Sequence, residues 1–363
     1  MEPGQEDQAR RDGPAMSAAT IAVRANAQFD APALERWMSA NVGGFTGPMG
    51  VAQFSGGQSN PTFKLTTPGK AYVMRRKPPG QLLKGAHAVD REARVMQALE
   101  GEGFPVPRVR GVCLDDEVIG SWFYVMDMVE GRIFWDGDFP GVPVAQKAAH
   151  LDALNATQAA LHGLDPAVIG LADYGRAEGY MSRQIARWSR QYLEDEAAGR
   201  TADMDFLVDW LPAHAPTGEE TRVVHGDFRI DNVIFHPERP EVIAVLDWEL
   251  STLGHPLVDF AYHLMMYRVP ADMPWGLAGR DLAALGLPSE AEYVAAYCRR
   301  TGRETIAHLD VYLAFNLFRL AAIIHGIKGR MIRGTAASAD AGAMVAHLDL
   351  LASTARRVAT AIR

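Results

Sequence analysis

The run His225-Gly226-Asp227-Phe228-Arg229-Ile230-Asp231-Asn232 sets an amide five positions after a carboxylate, and Asp247-Trp248-Glu249 follows 20 positions after that first carboxylate. Phosphoryl transfer asks for such a set. One carboxylate must receive the acceptor's proton, and oxygen ligands must hold a magnesium ion that offsets charge gathering on a triphosphate. Any one of these residues alone is as readily explained by a turn, where Asp and Asn hydrogen-bond their own backbone. Three at this spacing between apolar stretches point to chemistry instead.

The flanking residues must position them. Thr221–Val224 reads as a strand entering a tight loop, Val233-Ile234-Phe235 as a second strand, and Val242–Leu246 as a third after the His236–Pro240 turn. Hairpin geometry is expected to bring Asp227, Asn232 and Asp247 together.

This arrangement resembles the catalytic loop and metal-binding aspartate of the kinase-like fold, in the variant used by the aminoglycoside phosphotransferase and choline kinase superfamily. The resemblance implies Asp227 as the catalytic base, Asn232 and Asp247 as metal ligands, and ATP with Mg2+ as cofactors. Arg229, two residues after the base, is equally suited to approach the γ-phosphate or to pair with Asp231 or another nearby acid. In Gly254–Ala261, which resembles the family's Gly-x-Pro-x-x-Asp segment, Asp259 is expected to brace the catalytic loop.

The same resemblance predicts upstream context. Phe54–Leu65 reads as strand, turn and strand, so Gly56, Gly57, Ser59 and Asn60 could lay backbone N–H groups over phosphates, although a plain hairpin would look the same. Ala71–Arg75 matches the strand whose final Lys holds the α and β phosphates in kinases. Here Arg75 stands at that position; its planar fork can pair with phosphate or carboxylate, and Arg76 and Lys77 are rivals. Glu92, on the predicted helix 88–99, is the expected acidic partner, with Arg91 and Arg94 as easy alternatives. Phe123–Gly131 reads as a strand running into a linker, where the backbones of Asp127 and Val129 would hold adenine.

The implied fold class is α+β: a bilobal protein-kinase-like fold, with a small, mainly β N-lobe carrying one main helix and a larger, mainly helical C-lobe. We expect a tail over 1–20, a nucleotide-binding lobe over 21–129, and a catalytic and substrate-binding lobe over 130–363. Helical periodicity is plain in 144–162, 179–197, 257–268, 288–300, 304–329 and 338–362. Segments 132–143 and 269–287, rich in Gly and Pro, read as irregular connections. The apolar stretch 311–324, broken by Asn316 and Arg319, reads as a buried helix and not a membrane span.

Only 11 residues separate Asp247 from Asp259, too few for a protein kinase's activation loop, which favours a small-molecule hydroxyl acceptor. Three segments, 72–80, 129–134 and 246–252, are similar to a branch found free-standing in bacteria and as the N-terminal domain of some acyl-CoA dehydrogenases. That likeness implies a hydroxyacyl-CoA acceptor. Arg183, Arg187 and Arg190 fall on one helical face beside Trp188 and could hold CoA phosphates, or could simply be solvated. An aminoglycoside or amino-alcohol acceptor would call for an acidic pocket, for which Glu194-Asp195-Glu196, Asp203 and Asp205 are candidates. A catalytically silent nucleotide-binding module and a docking scaffold complete the alternatives.

Composition is that of an ordinary globular protein. The 363 residues carry 36 Lys and Arg against 44 Asp and Glu, a net charge of −8, which argues against a basic nucleic-acid-binding face. Cys113 and Cys298 have no Cys or His companions at metal-ligand spacing. The first 20 residues lack the apolar core of a signal peptide, so a cytoplasmic protein is expected.

Overall fold

The computed structural model describes residues 19–55, 60–78, 87–218, 220–271, 273, 275–335 and 341–361. The expected tail, apart from its last two residues, and Gly56, Gly57 and Ser59 of the expected phosphate loop, lie outside the described residues. In chain order the described residues form β1 (Thr20–Ile21), α1 (Ala31–Asn41), β2 (Gly50–Phe54), β3 (Thr62–Thr66), β4 (Ala71–Arg76), α2 (Val89–Gly101), β5 (Val109–Cys113), α3 (Asp116–Ile119) and β6 (Phe123–Asp127). There follow α4 (Val144–Gly163), α5 (Tyr180–Glu194), α6 (Ala202–His214), β7 (Arg222–Val224), β8 (Val233–Phe235), β9 (Val242–Val245) and β10 (Thr252–Gly254). The chain closes with α7 (Pro256–Leu264), α8 (Glu290–Thr301), α9 (Leu309–Ile332), α10 (Ala341–Ala346) and α11 (Leu348–Ala361).

Two compact units result, and they are not consecutive along the chain. The first takes the residues up to Phe134 together with Ala167–Ala172 and Asp231–Ser251; the second takes the rest.

The first unit is built on an antiparallel six-stranded sheet in the order β1-β2-β3-β4-β6-β5. Alternation sets its faces: Phe63 and Leu65 of β3 are buried in the core that also holds Met74 and Phe123, while Lys64 between them is not. Besides the expected main helix α2, α1 covers this core with Leu34 and Met38, one helical turn apart. Its start is legible in retrospect, because Asp30 accepts the Ala33 N–H and Pro32 follows. In α2 the buried stripe runs Val89, Glu92, Ala93, Met96 and Leu99, so a carboxylate falls on the apolar face.

The β8–β9 hairpin belongs to this unit and pairs Val233 with Val245. Residues 130–134 are tied to it. Arg132 and Phe235 exchange backbone hydrogen bonds of 2.8 Å each way, and the Phe134 and Phe235 rings meet edge to face at 5.4 Å.

In the second unit, β7 pairs with β10 and not with the strand that follows it. Helix α9 packs against α5, α7 and α11. It is long and apolar enough to cross a membrane by length and composition, yet Val311–Ala322 is buried within the unit. Asn316 is accommodated there by donating to the Val258 and Tyr312 carbonyls at 2.8 and 3.0 Å.

Helix α6 corrects the reading of 202–214, for which no helix was expected. The Thr201 hydroxyl caps it, and its interior Pro212 obscures the periodicity. The predicted 257–268 helix ends at Leu264 with a tighter turn over Met265–Tyr267, and the predicted 304–329 helix begins only at Leu309.

Gly131 marks where the linker is pressed onto the hairpin, since a Cβ built there would sit 2.2 Å from the Phe235 carbonyl oxygen. Gly131→Ala is therefore expected to destabilise the protein by about 1–3 kcal/mol, measured as a lowered denaturant midpoint; an unchanged midpoint would show that the linker can yield.

Candidate active site

The strand β4 delivers Arg75, and not Arg76 or Lys77, to the acidic residues. Pleating sends Arg76 to the opposite face, where its guanidinium lies 5.4 Å from the Phe29 ring, while Lys77 sits 3.8 Å from the Trp122 ring. Arg75 Nε lies 3.1 Å from Glu92, and an Arg75 terminal nitrogen donates to Asp247 at 2.8 Å and Glu249 at 3.0 Å. Glu92 is 1% exposed, and it also accepts from the Asn60 amide at 2.8 Å and the Tyr124 hydroxyl at 3.1 Å. Asn60, expected to approach phosphates, thus positions the carboxylate that holds Arg75, and His87 Nδ1 lies 2.9 Å from its carbonyl oxygen.

One guanidinium therefore serves three carboxylates. Burial alone would lower the pKa of Arg75, but Tyr124, Glu92, Asp247 and Glu249 together hold it above its usual value. Glu92 goes up to about 7, first because burial penalises its charge and then because Asp247 and Glu249 repel it; the shared Arg75 offsets this only in part.

Asn232 and Asp247 flank the β8–β9 hairpin, where the Leu246 N–H donates to the Asn232 carbonyl at 2.8 Å. Asp247 adopts a left-handed conformation with φ 64°, which Asp tolerates better than most residues and which ends the strand at this carboxylate. The surplus negative charge of this cluster fits a divalent cation. Among the described residues no group of three or more His, Cys, Asp or Glu is arranged to hold a metal unaided. Magnesium needs no such cage, because one or two protein ligands with substrate phosphates and water complete its octahedron.

At the expected adenine contact, Asp127 is tied by side chain to Arg110 at 2.6 and 2.8 Å and to Lys70 at 2.6 Å, and its N–H donates to the Arg108 carbonyl. Its carbonyl remains the group that could meet a base. Val129 follows β6 and is half-buried.

In the second unit Asp227 is held from several directions. The Tyr262 hydroxyl donates to its Oδ1 at 2.5 Å, Arg229 Nε lies 3.4 Å from the same oxygen, and its own N–H donates to His225 Nδ1 at 3.2 Å. Asp259 braces the loop as expected: its carboxylate accepts the His225 N–H at 3.1 Å and the Gly226 N–H at 2.8 Å. Burial would raise its pKa, but these bonds and His162 at 3.1 Å hold it below the usual carboxylate range. Gly226 permits the turn through its φ of 82°. Arg319, 7% exposed, donates to the Gly226 carbonyl at 2.8 Å.

His162, Tyr262 and Arg319 are absent from the residues singled out by sequence, because contacts spanning 35 to 97 positions leave no local pattern. Tyr262 alone had a signal: it follows Asp259 by one helical turn and so shares its face.

Three of the acidic candidates for a polycation pocket are paired with arginines. Asp195 forms a bidentate pair with Arg333 at 2.6 and 2.9 Å, Asp203 pairs with Arg356 at 2.8 Å, and Asp205 pairs with Arg200 at 2.9 Å.

A family model described as "Phosphotransferase enzyme family" matches residues 50–307. Acyl-CoA dehydrogenase family member 10 of Mus musculus is 41% identical over 325 residues, covering 89% of this chain and 30% of the mouse protein. Acyl-CoA dehydrogenase family member 11 of Homo sapiens is 40% identical over 333 residues, covering 90% of this chain and 43% of that protein. The chain thus spans less than half the length of these relatives. Among solved structures, a Ralstonia eutropha protein provisionally named an aminoglycoside phosphotransferase is 47% identical with a TM-score of 0.85, covering 92% of this chain and 99% of its own. At 11% identity, choline kinase from Cryptosporidium parvum shares the fold with a TM-score of 0.59, covering 89% of this chain and 96% of its own.

Because the folded state binds the Glu92 proton more tightly than the unfolded chain does, Glu92 favours folding below its unfolded pKa, and that contribution is lost as pH rises to about 7. The loss should approach ~3 kcal/mol. Glu92→Gln is expected to flatten this part of the stability profile, read as the difference in unfolding free energy between pH 4.5 and 8; parallel profiles would rule out a raised Glu92.

Proposed function

Since the chain belongs to the phosphotransferase enzyme family, we propose that it transfers the γ-phosphate of ATP to the hydroxyl of a small molecule, and that this acceptor is a hydroxyacyl-CoA. The observation that carries the phosphotransfer reading is the Asp227 carboxylate, met at Oδ1 by the Tyr262 hydroxyl and by Arg229, because a module that only binds nucleotide has no use for an oriented base. A solved relative of the fold, a thermostable mutant of aminoglycoside phosphotransferase APH(4)-Ia, is a ternary complex with ADP and hygromycin B.

In this reading the acceptor's oxygen attacks the γ-phosphorus while its proton passes to Asp227. The new P–O bond forms as the bond to the β-phosphate oxygen breaks, and ADP leaves. Asp259 and Arg319 keep the loop in place through the backbone of residues 225–226. Arg229, whose Nε lies 3.4 Å from Asp227 Oδ1, can turn toward the γ-phosphate when substrate arrives. Asn232 and Asp247 would hold Mg2+, which supplies charge neutralisation at the phosphates. Once that charge is supplied, Arg75 can exchange Asp247 for a phosphate while keeping Glu92, the role Lys has in related kinases.

Charge supports an anionic acceptor over a polycationic one. Among the described residues no ion pair joins Arg187 or Arg190 to a carboxylate, and the Arg187 guanidinium lies 5.0 Å from the Trp188 ring centroid. Three of the acids that could have attracted an aminoglycoside, Asp195, Asp203 and Asp205, are paired with arginines. The names of the fused relatives point to acyl-CoA chemistry as well.

ADP release from MgATP, followed with pools of hydroxyacyl-CoAs, amino alcohols, sugars and aminoglycosides, is expected to depend on the hydroxyacyl-CoA pool. Asp227→Asn should cost about 10²–10⁴ in turnover with nucleotide affinity kept. Activity confined to aminoglycosides would overturn the acceptor, and silence from every pool with MgATP bound would favour the nucleotide-binding module. Asp247→Ala should weaken magnesium-dependent nucleotide binding in a titration; unchanged affinity would remove it as a ligand.

A further inference from the structure

We propose that Tyr262 is the positioning residue of the base: its phenol O–H fixes Oδ1 of Asp227 and with it the carboxylate that takes the acceptor's proton. This rests on the phosphotransferase reading above.

Helix α7 grips the catalytic loop at two points. Asp259 holds the backbone at His225 and Gly226, and one turn later Tyr262 holds the side chain of Asp227 at 2.5 Å. The ring itself cannot move freely. It is 5% exposed, and the Arg319 guanidinium lies 4.9 Å from its centroid while also donating to the Gly226 carbonyl. Burial, and then the charge of Asp227, push the Tyr262 hydroxyl far above its ordinary pKa, so it remains a donor throughout the working range.

A carboxylate anchored by one oxygen keeps a fixed torsion, and displacements of about 1 Å in reacting groups cost on the order of 10²-fold in rate. Arg229, 3.4 Å from the same Asp227 oxygen, is the mobile cation of the set, because the phosphate competes for it; the tyrosine has no such competitor. The other charged or titratable groups around the base are His225, which accepts the Asp227 N–H; Arg319 behind the tyrosine ring; and His263, which burial keeps neutral with a pKa near 4.

Tyr262→Phe in the full chain removes the donor and keeps the ring on Arg319. With the acceptor that supports turnover, kcat is expected to fall roughly 10- to 100-fold with the KM for ATP unchanged. Without any turnover, the 13C resonance of the Asp227 carboxyl, assigned with Asp227→Asn, should move at fixed pH when the phenol donor is removed. An unmoved resonance, or a fall in kcat accompanied by equal losses in ATP affinity and thermal stability, would reduce Tyr262 to packing. If no acceptor is turned over by the wild type, the kinase reading fails, and the carboxyl resonance still decides the role of Tyr262.

Discussion

Arg75 is buried against three carboxylates, and much of the first unit can be read as a response to that arrangement. A buried charge without a partner costs several kcal/mol, so the sheet must present the guanidinium where Glu92, Asp247 and Glu249 can reach it. Glu92 reaches it because α2 lays its apolar stripe on the sheet with the carboxylate in that stripe. The other two reach it because the β8–β9 hairpin, more than 150 positions away in sequence, belongs to the same compact unit. Trp248 locks the carboxylates' loop, buried with its indole N–H donating to the Val245 carbonyl at 3.0 Å and its ring facing Phe104.

The cluster is negative as it stands, and that imbalance gives a cation an electrostatic reason to enter. The second unit uses the opposite economy: Asp259, fully enclosed, is satisfied by His162 and two backbone amides, so it stiffens the loop without inviting a ligand.

Arginine in place of lysine at position 75 is compatible with this geometry for a specific reason. Its separate nitrogens address Glu92 and the Asp247–Glu249 pair at once, which the single ammonium of lysine would do only by sharing one point charge. The departure from the kinase pattern does not by itself argue for a silent module.

The sequence by itself pointed to the phosphotransferase family and set the local elements. The β-branched runs flanking His225–Asn232 and leading to Asp247 became β7, β8 and β9 because alternation and turn residues act over a few positions. Glu92 was favoured over the other acids of α2 by the kinase-like context, and the structure then showed it lying in the buried stripe of that helix. The sequence could not choose among Arg75, Arg76 and Lys77, because the choice depends on which face of β4 meets α2 and the hairpin. Nor could it see α6, whose Pro212 hides the period, or the neutralisation of Asp195, Asp203 and Asp205 by arginines as much as 153 positions away. Tyr262, Arg319 and His162 were decided only by tertiary structure, for a helix brings its residues to a distant loop by packing, and packing leaves no mark in the spacing of nearby residues.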